Sequence, residues 1–165
     1  MAFLSDIAAT YRSPRRVLGR LLTMGIREDR ALVVVMAGCV VVFIAQWPRL
    51  ARQAHLSGEE LNILLGSTLL AWVFIMPLFL YLMAFVTRLG ARAIGGKGTA
   101  FGARMALFWA LLAASPVMLV HGLLAGFVGR GIVLDIVGLL WLGFFAWFWL
   151  SGLIESEWGK TRDTA

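Results

Sequence analysis

Long uncharged stretches alternate with short charged segments along this chain, and four of the stretches are long enough to cross a lipid bilayer. A hydrocarbon core roughly 30 Å thick needs about 20 apolar residues, because a helix rises about 1.5 Å per residue. The pattern predicts spans at about residues 31–47, 61–87, 105–129 and 136–154, with no charged residue inside any of them. Pro48 is expected to end the first helix, since proline removes a backbone hydrogen bond.

The segment before the first span, residues 1–30, carries six arginines and has the pattern of a surface helix. Ser13 and Pro14 are typical of a helix start, because serine caps the first turn and proline is tolerated there. Beyond them the apolar side chains gather on one helix face, namely Val17, Leu18, Leu21 and Leu22. We expect this basic amphipathic helix to lie in the membrane interface; the alternative is that it packs on the ends of the bundle.

Composition agrees with a membrane protein, since 61% of the 165 residues are hydrophobic and 15% are charged. A soluble domain is about half apolar and about a quarter charged, so a single soluble core does not accommodate this chain. The sequence therefore predicts an all-α polytopic transmembrane bundle. Its parts are a basic segment at 1–30, a transmembrane domain at 31–154 and a tail at 155–165.

The basic residues predict the orientation of the bundle. With four spans, residues 1–30, the 88–104 loop and the tail share one side and hold twelve of the fifteen Lys and Arg residues. Because cationic flanks are retained in the cytoplasm, both termini are predicted to be cytoplasmic, in a bacterial inner membrane. These cations flank spans and form no separate basic domain, so no nucleic-acid partner is predicted.

The 88–104 loop, RLGARAIGGKGTAFGAR, contains four cations, five glycines and no acids. Consecutive glycines can turn several backbone N–H groups toward one anion. Gly98 follows Lys97 where a phosphate loop needs Ser or Thr, so ATP binding is not predicted. Contacts with anionic lipid headgroups are predicted for cations here and on the N-terminal helix. The alternative is that the loop is a flexible hairpin whose cations serve only to keep it in the cytoplasm. The candidates are Arg16, Arg20, Arg88, Arg92 and Lys97.

Two prolines, Pro77 and Pro116, lie at matching depth in the second and third spans. Each removes one hydrogen bond within its helix, which makes a hinge or small cavity one hypothesis and a static bend the other. Ser115, Thr68 or Ser67 is expected to help satisfy the freed carbonyl groups.

Small and aromatic residues predict how the helices pack. Gly122 and Gly126 have the small-xxx-small spacing that lets two helix backbones approach closely. The fourth span carries an aromatic band, which we expect to face lipid or to fill the bundle, or else to form a partner surface. Its members are Phe144, Phe145, Trp147, Phe148 and Trp149.

His121 is the ionisable residue within the predicted spans and is therefore a weak functional candidate. A histidine bonded to a neighbouring helix is the more common outcome. The sequence has no spacing typical of a metal site and no catalytic acid–base or nucleophile arrangement. We therefore predict no enzyme activity, no cofactor and no metal.

Two segments resemble the bacterial Yip-domain (Ypt-interacting-protein) family of membrane proteins. They are SPRRVLGRLL at 13–22 and GGKGTAFGARMALFWALLAASP at 95–116, and the resemblance spans roughly residues 10–155. It implies structural roles for Pro14, for the turn at 95–98 and for Pro116.

The resemblance also implies a helical membrane protein without catalytic residues; the family's eukaryotic members act in vesicle trafficking with Rab-type GTPases and have five spans. From the sequence we expect a protein that organises membrane or binds another membrane protein or its own copies. The alternative is a small transporter or channel component.

Overall fold

The computed structural model describes residues 2–159, with side chains from residue 4 onward, and this part of the chain is helical without strands. Residues 160–165 of the predicted tail lie outside the described residues. The helices, in chain order, are α1 (Ala2–Thr10), α2 (Pro14–Thr23), α3 (Glu28–Ser57), α4 (Leu61–Leu69), a π-helical segment (Leu70–Ile75), α5 (Met76–Ala93), α6 (Ala100–Phe127) and α7 (Ile132–Trp158). Four stretches are long and apolar enough to cross a membrane, as predicted: α3, α4 through α5, α6 and α7.

The first spanning helix, α3, extends further than the sequence predicted. It continues through Pro48 to Ser57, so the prediction that Pro48 ends it is wrong. A proline in a membrane helix costs one backbone bond, and neighbouring helices compensate for this loss. Here Pro48 packs against α6 at Gly126, where an added Cβ would lie 2.8 Å from the Pro48 carbonyl carbon. The helix ends instead at Gly58, whose φ of 73° suits glycine.

The second span is one helical rod with an irregular middle. Residues 70–75 are π-helical and lead directly into Pro77, which is buried in the first turn of α5. The Met76 N–H bonds the carbonyl of Ala71, five residues back. π-Helical turns insert an extra residue in each ring, which shifts the faces that α4 and α5 present. The sequence did not predict this segment.

Helix α6 is the centre of the bundle. Every residue from Phe101 to Ser115 except Arg104 is buried, between α3, α5 and α7 and the N-terminal helices. Its glycines allow a close helix approach, as predicted, and the neighbouring helix is α3, since a Cβ on Gly122 would overlap the Ala45 carbonyl group. Gly38 of α3 completes this line, because its added Cβ would lie 3.1 Å from the Leu111 side chain.

Helix α2 does not lay its apolar face in lipid. Val17, Leu18 and Leu21 are buried against α6 and α7, with Leu18 at 1% exposure. Gly152 of α7 makes room, since an added Cβ there would meet Leu18 Cδ2 at 3.0 Å. This face therefore covers the end of the bundle, which is the packing given as the alternative, and its arginines face outward. The position of α2 at the membrane interface stays a prediction.

The chain between α1 and α2 reaches into the bundle. The Tyr11 ring contacts Phe144 and Phe148 of α7 at centroid distances of 5.3 and 5.0 Å. The Trp109 indole N–H donates to the buried Thr10 hydroxyl at 3.0 Å. Glu155 lies near the end of α7, and Phe148 lies seven residues before it, which is about 10 Å deeper along the helix. The turn between α1 and α2 therefore inserts between α6 and α7. Burial there raises the pKa of the Tyr11 phenol above its ordinary value.

Ion pairs show which helix ends lie together. Arg104, at the start of α6, pairs with Glu28 at the start of α3. Arg88, near the end of α5, pairs with Glu157 near the end of α7. These contacts place the N-terminal helices, the 94–99 turn and the end of α7 at one end of the bundle, here called the terminal end. The turns at 58–60 and 128–131 form the distal end.

Candidate functional site

The glycine-rich turn that joins α5 to α6 is the first candidate site, and backbone geometry shapes it. Gly95 has a φ of 86°, and the Gly96 N–H donates to the Ala91 carbonyl at 2.8 Å, which closes the end of α5. Thr99 caps α6, because its hydroxyl accepts the Gly102 N–H at 3.0 Å. The turn is therefore fixed at both ends by local bonds.

An internal carboxylate occupies the concave side of this turn. The Gly98 N–H donates to Glu157 Oε2 at 2.9 Å, and Arg88 Nη1 donates to the same oxygen at 2.8 Å. The Lys97 N–H donates to the Glu157 main-chain carbonyl at 3.1 Å. Arg88 Nη2 also donates to the Gly98 carbonyl at 2.5 Å. The anion that the glycine-rich segment binds is thus the side chain of Glu157.

The close approach of Glu157 explains two of the glycines. A Cβ on Gly98 would lie 2.7 Å from Glu157 Cδ, and one on Gly96 would lie 2.7 Å from Oε2. Both distances are shorter than real Cβ contacts. The Glu157 side chain is fully buried, whereas Arg88 retains 20% exposure. This group of contacts, which we call the Glu157 latch, ties the 94–99 turn to the end of α7.

Ion pairing divides the five candidate headgroup cations into two groups. Arg88 is paired with Glu157, and Arg20 is paired with Asp6 of α1. Arg16, Arg92 and Lys97 are exposed and form no ion pair within the described residues. An exposed cation without an acidic partner is the more available to an anionic headgroup, since a paired one must first give up its carboxylate.

Arg16 also lies at a cavity. Arg15, Arg16 and the Ser13–Pro14 turn face Trp147 and Ser151 of α7 across a space of about 350 Å³. Trp147 is 46% exposed, and tryptophan favours the headgroup level of a bilayer. The aromatic band is accordingly divided: Phe148 is buried against Tyr11, while Trp147 lies on the outer surface.

The two prolines are placed differently. Pro77 is buried, and Pro116 is exposed within an uninterrupted α6. The Ser115 hydroxyl donates to the Leu112 carbonyl at 2.7 Å, the group that Pro116 leaves without a backbone donor. This confirms the role predicted for Ser115. Ser67 bonds the Leu64 carbonyl instead.

His121 faces α7. A Cβ added to Gly138 would lie 3.4 Å from His121 Nε2, so the imidazole rests on a glycine of the neighbouring helix. Within the described part of the chain no three His, Cys, Asp or Glu side chains group in a way that would hold a metal ion. The surroundings of His121 thus indicate packing between α6 and α7.

Sequence reasoning missed Glu157, the residue on which the terminal end converges. The available signal was a loop of four cations without acids, opposite a tail that contains Glu155 and Glu157. Which of the two acids turns inward depends on the rotation of α7, which the sequence pattern did not fix. Comparison with known protein families, curated proteins and solved structures finds no match for this chain.

Proposed function

We propose that this chain is a non-enzymatic multi-pass membrane protein of the Yip-domain type, with both termini in the cytoplasm of a bacterial cell. It acts by binding anionic headgroups and other membrane proteins, or copies of itself, at its outer surfaces. The observation that carries the proposal is the packing of α6, whose half nearest the terminal end is buried on all sides. Such a centre favours a scaffold over a solute path.

The outer helices have the surface that this role needs. Of the most apolar 18-residue stretch of each span, 6% is buried in α7 and 17% in the α4–α5 span, against 56% in α6. Their exposed side chains are large and apolar, including Phe79, Phe85 and Trp147. Faces of this kind pack on lipid tails or on another membrane helix.

The decisive experiment compares association with transport. The protein is extracted in a mild detergent and its mass is measured by light scattering, and the purified protein alone is sealed into vesicles for solute-flux assays. A stable homo-oligomer or co-purified membrane partner, with no flux above protein-free vesicles, supports the proposal. Flux through vesicles that contain only this protein overturns it.

Headgroup binding is tested with two arginines on the same helix. Arg16→Gln removes an exposed cation beside the Trp147 cavity, and Arg20→Gln removes one already paired with Asp6. Phosphatidylglycerol retained by each variant is counted by native mass spectrometry. We expect Arg16→Gln to reduce retention several-fold more than Arg20→Gln, because about 1 kcal/mol accompanies each available charge. Equal retention by wild type and both variants contradicts headgroup binding at Arg16.

The second candidate function is a small transporter or channel component. The observation in its favour is the π-helical segment at 70–75 directly before Pro77, since such segments are frequent at functional sites. The flux assay above distinguishes this function from the first.

A further inference from the structure

The distal end of the bundle contains a cavity of about 690 Å³ between α3, the end of α6 and the start of α7. Its walls include Arg49 and Arg52, in the last turns of α3, and Arg130, in the turn between α6 and α7. Apolar side chains, among them Leu56 and Leu134, line the remainder. The cavity thus joins three guanidinium groups to an apolar wall.

Local bonds hold two of these arginines at the cavity wall. Arg49 Nε donates to Oε1 of the buried Gln46 at 2.9 Å. Arg52 Nη1 donates to the carbonyl groups of Gly126 and Phe127, both at 3.2 Å, at the end of α6. These bonds use one nitrogen of each guanidinium group. The remaining N–H groups are left for a ligand.

The third arginine is placed by a glycine turn. Gly129 has a φ of 85°, and a Cβ on it would lie 2.7 Å from Arg52 Nη2. A glycine therefore allows the chain to pass Arg52 closely before Arg130 reaches the cavity. None of the three arginines forms an ion pair with a carboxylate in residues 4–159.

The chemistry of the cavity selects the anion. Guanidinium groups bind phosphate oxygens through paired, charge-assisted hydrogen bonds. A cavity of this volume is in the range of small-ligand sites. A ligand with a phosphate group and an attached apolar chain can bind the arginines through the phosphate and contact the leucines through the chain.

We propose that this cavity binds the phosphate group of an anionic phospholipid from the leaflet at the distal end. The three arginines hold the phosphate oxygens, and Leu56 and Leu134 contact the glycerol and the first methylene groups. This site lies at the opposite end of the bundle from the terminal-end cations, and it does not depend on headgroup binding by Arg16.

The test uses the full chain in vesicles that contain phosphatidylglycerol with a photoreactive group near its headgroup. Cross-linked peptides are mapped by mass spectrometry, and the yield at each peptide is normalised to the total amount of protein. We expect cross-links at 49–57 and 125–134, and about a tenfold loss in Arg130→Gln, comparable to one charge-assisted hydrogen bond. Arg27→Gln, which removes a cation paired with Asp29 at the terminal end, is the control and leaves them unchanged.

Further arms identify the source of the phosphate and separate binding from folding. Competition by millimolar inorganic phosphate, or equal cross-linking by photoreactive phosphatidylcholine, overturns the assignment to an anionic lipid. Equal yields at the cavity in wild type and Arg130→Gln overturn the site itself. Should Arg130→Gln unfold, Arg130→Lys decides, because lysine keeps the charge but not the paired donors. A severalfold loss in Arg130→Lys supports the site, and wild-type yields overturn it.

Discussion

Replacing Glu157 with alanine removes the carboxylate on which the glycine-rich turn and α5 converge. The change leaves the Gly98 N–H without its acceptor and the Arg88 guanidinium without its counter-ion. Breaking a buried ion pair by deleting one partner costs about 3–5 kcal/mol. Arg88 is 20% exposed, so water can solvate its unpaired charge. We therefore expect a cost at the lower end of this range, about 3 kcal/mol. In a chain of this length that corresponds to a fall of about 6–12 °C in Tm.

Thermal unfolding in a mild detergent, followed by the loss of the monodisperse peak in size-exclusion chromatography, measures this effect. Glu157→Gln keeps an acceptor for Gly98 but removes the charge, so its Tm is expected between those of Glu157→Ala and wild type. Glu60→Ala is the control, because Glu60 is exposed and forms no ion pair within residues 4–159.

A double-mutant cycle tests whether the latch acts as a unit. Arg88→Ala with Glu157→Ala removes both charges, so the pair of changes costs less than the sum of the single ones by about 0.5–3 kcal/mol. Additive losses would refute the pairing, and a Glu157→Ala Tm equal to that of the exposed control would refute the burial argument.

Three further predictions address packing and topology. Gly122→Ala is expected to lower the free energy of unfolding by about 1–3 kcal/mol, because the added Cβ overlaps the Ala45 carbonyl. Gly143→Ala is the control, since the space around Gly143 is open. Equal Tm values for the two variants would contradict the close approach of α3 and α6. Ser115→Ala removes the donor to the carbonyl freed by Pro116 and is expected to cost about 1 kcal/mol, seen as a lower Tm at unchanged helix content. In intact cells an impermeant maleimide is expected to label Ser57→Cys and not Lys97→Cys; the reverse pattern would invert the predicted orientation.

The spans were predictable because the bilayer imposes a length that few other structures need. An uncharged stretch of about 20 residues is a strong signal on its own, and all four stretches correspond to helices that are long and apolar enough to cross a membrane. The end of α3 was not predictable in this way. Pro48 lies where α6 packs closely, and tertiary packing offsets the bond that proline removes.

The face of α2 was predictable, but its neighbour was not. Helical periodicity places Val17, Leu18 and Leu21 together, and all three are buried. Periodicity does not distinguish a lipid tail from a protein side chain, because both are equally apolar. The contact with Gly152 of α7, more than 130 residues away, decides between them.

Charge counting and charge pairing answer different questions about the same residues. Orientation during insertion depends on how many cations flank the spans, and acids contribute little to it, so Arg88 counts fully toward the predicted topology. Attraction of the folded protein to anionic lipid depends on the cations that the fold leaves unpaired. Arg88 is paired with Glu157, a residue 69 positions away, whereas Arg92 and Lys97 of the same loop are exposed. A basic loop can therefore direct topology with all of its cations and offer only some of them to a membrane surface.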